Sequence, residues 1–137
     1  MECITYTLDF HGRLSSVRPG VFELDAIGDE GAVLLTELSM TGGEWFDEAG
    51  TISLGHDAAV HFRSIAPGHV GASLEAGVQQ GSAQCGVDAG EGTLAGARGV
   101  LTSNFLIAAT GEVTDRRIVV LFVPQLPHTT TTKEERQ

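Results

Sequence analysis

At 137 residues, 42% of them hydrophobic, the chain suits one domain with a core of its own. Its 8 Lys and Arg against 18 Asp and Glu leave a formal charge of −10. That balance argues against nucleic acid or an anionic membrane surface as partner, since both are bound through clustered cations. The longest apolar run, Ile118–Val123, falls far short of the roughly 20 residues that span a bilayer.

The N-terminal Met1–Thr5 has neither the basic nor the apolar region of a secretory leader, so a cytoplasmic location is expected. Ile4, Tyr6, Leu8 and Phe10 then alternate with polar residues, which predicts a half-buried strand ended by His11-Gly12. Val21–Leu24 follows Pro19-Gly20, and Ala32–Met40 follows the turn signal Gly28–Gly31. Residues 41–50 have room for one helical turn, but their glycines argue against a real helix. Thr51–Leu54, Ala58–Ile65, Val70–Val78 and a weaker Ser82–Val87 come next. Val100–Ala108 and Arg117–Val123 are the strongest strands, joined through Thr110-Gly111-Glu112. No amphipathic helical stripe interrupts them.

Eight or nine short strands at about ten-residue spacing predict a sandwich or a barrel. The 18 glycines favour closure, because glycine relieves the bends and bulges of a curled sheet. The expected fold is therefore all-β: a closed antiparallel barrel of about eight strands over residues 1–124, wide enough to enclose one small ligand. Residues 125–137, with Thr129–Thr132 and a charged end, read as a polar, disordered tail.

The segment Gly90-Glu91-Gly92-Thr93-Leu94-Ala95-Gly96-Ala97-Arg98-Gly99 invites comparison with a phosphate loop. Its spacing is wrong, and a β-branched run follows it in place of a helix, so no helix N-terminus would face an anion. It reads instead as a glycine corner, with Gly96 and Gly99 in structural roles. This corner, the two apolar strands after it, and Trp45-Phe46-Asp47-Glu48-Ala49-Gly50 with Gly55 resemble the allene oxide cyclase-like and dirigent-like β-barrels. That calycin-like group includes small bacterial polyketide cyclases, and the likeness runs over roughly residues 44–123. The resemblance implies a barrel that folds a flexible apolar, polyketide-like substrate for intramolecular ring closure or isomerisation, with no cofactor.

Other site chemistries find little support. Cys3 and Cys85 lie far apart and outside any C-x-x-C pair. The five histidines form no H-x-H, so no metal site is expected. There is no G-x-S-x-G elbow. More informative are polar residues inside predicted strands: Glu37, His61 with Arg63, Glu75 and Asn104. Facing inward, each would need a partner that a ligand could supply. Glu37, His61, Arg63 and Glu75 could then polarise a carbonyl or move a proton, with Tyr6, Trp45 and Asn104 contacting the ligand. Facing outward, they are ordinary solvated residues. Three readings stay open: a cofactor-independent cyclase, a non-catalytic small-ligand carrier, and a packed structural domain. Either ligand reading implies a small apolar partner, and a homodimer is compatible with all three.

Overall fold

The computed structural model describes residues 1–124, which form a single antiparallel sheet closed on itself. Its strands are β1 (Glu2–Arg18), β2 (Val21–Gly28), β3 (Ala32–Gly42), β4 (Trp45–Leu54), β5 (Ala58–Ser64), β6 (Gly68–Ala72), β7 (Gln79–Gly92), β8 (Arg98–Ile107) and β9 (Glu112–Val123). Between β2 and β3 lies one 3₁₀ turn, Asp29–Gly31. The expected tail falls outside the described residues.

Hydrogen bonding runs β3-β2-β1-β9-β8-β7-β5-β4, and β3 pairs β4 to close the ring. Both β5 and β6 lie between β4 and β7. They are two halves of one stave broken at 65–67, so nine strands make an eight-stave barrel. The first and last strands pair along almost their whole length, from Glu2 against Val123 to Arg13 against Glu112.

Period-two alternation explains which residues face inward. On β3, Ala32, Leu34, Thr36 and Leu38 are buried while Val33, Leu35 and Glu37 between them are exposed. On β9, Val113, Asp115, Arg117, Val119, Leu121 and Val123 are all buried. Where the sequence misleads, a local reason is visible. β1 continues through His11-Gly12 to Arg18 because β2 and β9 pair with it there. β4 starts at Trp45, inside a span not read as a strand, because β3 and β6 supply its ladders. The alternation of 70–78 is not a strand beyond Ala72: Ser73–Val78 turn back through Ser73 N–H to the Val78 carbonyl. Glu75 therefore stands in a loop.

The glycine corner shuts one end of the barrel. Three successive turn bonds, from the amides of Leu94, Ala95 and Ala97, fold it inward and bury Leu94 and Ala97. Gly96 sits at φ +80°, which disfavours any side chain. Gly99 lies so close to β9 that a Cβ would stand 2.0 Å from the Val120 carbonyl oxygen. Both glycines thus hold the structural roles expected of them.

Candidate functional site

The opposite end of the barrel is open. An apolar cavity of about 260 Å³ lies in its mouth between Phe22, Met40, Phe46, Val70, Phe105 and Ile107. Phe46 and Phe105 meet edge to face, 6.0 Å between centroids. A smaller void of about 10 Å³ shares Leu14, Leu38, Phe105 and Ile107 with it and reaches Asp115 and Arg117.

Beneath this apolar collar the interior is charged. Arg117 is almost wholly enclosed. Its Nη2 donates to Glu48 Oε2 at 2.6 Å and its Nε to Asp115 Oδ2 at 2.9 Å. Ser103 Oγ donates to Asp115 Oδ1 at 2.7 Å, and Thr36 Oγ1 to Glu48 Oε2 at 2.8 Å. The Cys85 thiol lies 3.7 Å from Glu48 Oε1, and the guanidinium sits 5.3 Å over the Phe62 ring. β3, β4, β7, β8 and β9 each supply a member, so closing the ring assembles the cluster. Arg117 Nη1 is the one buried side-chain polar atom without a partner among the described residues.

Two carboxylates face one cation here. Burial opposes the charged form of Arg117, but Glu48 and Asp115 outweigh it and hold the guanidinium protonated. Burial pushes the Asp115 carboxyl above the ordinary carboxylate range, more than Arg117 and Ser103 draw it down. Burial and the Glu48 charge raise the Cys85 thiol to about 12, so it is no thiolate nucleophile at neutral pH.

None of the polar residues singled out from sequence enters this interior. Glu37 is half exposed on the outer face, 3.9 Å from Arg18. Arg63 faces solvent and pairs with Asp88. His61 lies between Thr51 and Glu91 on the outer wall, and Glu75 is in its loop. Asn104 and Trp45 are exposed outside the barrel, and Trp45 stands edge-on to His69. Tyr6 alone turns inward, partly buried against the core. The polar interior exists, but Thr36, Glu48, Ser103, Asp115 and Arg117 build it.

No family model matches the chain, and no curated protein matches it significantly. Among solved structures it resembles two pterocarpan synthase dirigent proteins. With GePTS1 it shares 12% identity over 90% of this chain and 89% of that one, at a TM-score of 0.61. With PsPTS1 it shares 11% identity over 91% and 97%, at a TM-score of 0.62. At these identities the likeness is one of fold: the chain has the barrel of dirigent proteins.

Proposed function

We propose that the barrel binds a small, mainly apolar molecule through its open mouth, with an acceptor oxygen of that molecule directed at Arg117. One observation carries this reading: the apolar cavity of the mouth adjoins a small void that reaches a buried guanidinium whose Nη1 has no partner among the described residues. Apolar walls with a few fixed polar groups are the usual chemistry of a small-molecule site. A buried donor without a partner is costly, and a ligand carbonyl would relieve that cost.

The finer reading is a cofactor-independent cyclase or isomerase. Confinement beneath the Phe46 and Phe105 rings would hold two ends of a flexible substrate together, removing much of the entropy barrier to ring closure. Arg117 would stabilise negative charge growing on the carbonyl oxygen. Asp115, whose carboxyl burial pushes above the ordinary range, would hold Arg117 in position through its bond from Nε. The two dirigent proteins of similar fold are pterocarpan synthases, and that likeness supports chemistry of this kind. Against catalysis, Asp115 and Arg117 lie below the collar of Leu14, Leu38, Phe105 and Ile107. That placement favours a carrier, and the two readings differ only in how far the ligand descends.

The test uses N-phenyl-1-naphthylamine, an uncharged apolar dye. It should bind the protein saturably with a rise in fluorescence. Filling the mouth with the pair Met40→Phe and Val70→Phe should abolish the rise while leaving the circular dichroism unchanged. Equal dye binding by the filled variant would overturn the proposal.

A further inference from the structure

The outer wall carries a second concavity that the interior reading does not use. A depression of about 700 Å³ on β7, β8, β9 and β1 continues into one of about 330 Å³ beside Trp45, and the two share His69, Ser82 and Asn104. Strand register shows why it is continuous. Trp45 pairs His69, His69 pairs Ser82, Ser82 pairs Asn104, Asn104 pairs Arg116, and Arg116 pairs Asp9. Six side chains from six strands thus stand on one rung across the outside of the barrel. Five interstrand steps of about 4.8 Å give it a contour of about 24 Å, curved round the barrel wall.

The chemistry changes along the rung. At one end the Trp45 ring is half exposed and braced edge-on by His69, whose Nε2 lies 3.1 Å from Glu44. The middle is uncharged: the Ser82 hydroxyl and the Asn104 amide, with Gln80 and Gln84 flanking Ser82 on the same face of β7. Hydroxyl and amide groups both donate and accept. At the other end Arg116 grips Asp9 through two bonds, 2.8 and 3.2 Å, so this ion pair is largely self-neutralised.

We propose that this rung is a binding groove for a neutral, polyhydroxylated chain, an oligosaccharide of about four or five sugar units given about 24 Å of length. A flat aromatic face suits the C–H face of a sugar ring, and groups that both donate and accept suit its hydroxyls. Other occupants fit less well. An extended peptide adds to an exposed sheet edge, and the closed ring of the described residues leaves none on this wall. Nucleic acid and other polyanions meet a chain of net charge −10.

Trp45 is the only tryptophan in the sequence, so intrinsic fluorescence reports on this groove. Cellotetraose, maltotetraose and mannotetraose would each be titrated into the full-length protein. At least one should shift the Trp45 emission saturably, with amide NMR shifts confined to the rung. Asn104→Ala should weaken that binding by about tenfold, the effect of one lost hydrogen bond. Arg63→Ala, on another part of the wall, should leave it unchanged, as should the pair Met40→Phe and Val70→Phe. That pair separates this groove from the interior site, since it abolishes dye binding alone. No response to any of the three sugars would overturn the proposal. So would tighter binding of an anionic tetragalacturonate, shifts centred on the mouth, or a self-associated state in which this face is already covered.

Discussion

At the scale of single residues, the buried cluster sets the clearest expectations. Removing one partner of a buried pair leaves an uncompensated charge, so Glu48→Ala should cost about 3–5 kcal/mol in urea unfolding. Asp115→Asn should cost much less, because an amide can still accept from Arg117 Nε and meet Ser103 Oγ. Arg117→Met alone should be worse than Arg117→Met combined with Glu48→Gln and Asp115→Asn, since the triple variant strands no charge. Asp115 also makes stability depend on pH. Its folded pKa lies above the ordinary 3.8, so the native state holds its proton longer than the unfolded state does. Its contribution is full below 3.8 and is lost as pH rises through the folded value. Relative to Asp115→Asn, the parent should therefore lose stability on going from acid towards neutral pH. A parent that gained stability over that range would reverse the assignment. Cys85 follows the same sign higher up: a thiol held near 12 against an ordinary 9.0 loses stability for the fold above about pH 9. Ellman's reagent at pH 8 should titrate exposed Cys3 alone in the native protein and both thiols in urea. The cluster could have been found in the sequence. Val113, Asp115, Arg117, Val119 and Leu121 alternate, as do Phe46, Glu48 and Ile52. Starting β9 at Arg117 and reading no strand in 41–50 removed the neighbours that place these charges inward.

At the scale of elements, β3, β8 and most of β9 were legible because they are dense in β-branched and apolar residues, even on the outer face, where Val33, Leu35, Val100, Leu106, Ile118 and Phe122 stand exposed. That signal failed where pairing, not hydrophobicity, makes the strand. β7 runs for 14 residues with few large apolar side chains, and β5, β6 and β8 supply the ladders that hold it. It failed in the opposite sense at 73–78, where Leu74 and Val78 mimic a strand but no neighbour is there to pair. The glycine corner was legible because steric demand is local. Gly99→Ala drives a methyl into the Val120 carbonyl across a rigid ladder and should cost about 2–4 kcal/mol. Gly96→Ala meets a left-handed backbone and the Pro124 ring at 2.9 Å, both at the edge of the fold, and should cost about 1–2 kcal/mol. Urea unfolding of the two variants checks the order, and a milder Gly99 variant would contradict it.

For the whole molecule, the described residues contain no α-helix, and no helix among them is long and apolar enough to cross a membrane. Far-UV circular dichroism should therefore be dominated by β-structure. The ring closes through contacts between residues far apart in sequence, so refolding after dilution from urea should take milliseconds to seconds rather than microseconds. Microsecond refolding would count against the barrel. The pairing of Glu2 with Val123 and of Arg13 with Glu112 bears on how the chain is made. Until β9 has left the ribosome, β1 and β8 are two bare sheet edges, open to any other unfinished copy nearby. Among the described residues the closed ring leaves β1 and β8 no such edge, so their exposure to wrong pairing is confined to synthesis. The same seam makes the order of strands along the gene a matter of where the ring is cut. A permuted gene that joins Pro124 to Met1 by a short flexible linker and opens the chain at Leu74–Gly77 should still give the barrel, with β7 made first and the β6–β7 pairing left to close it last.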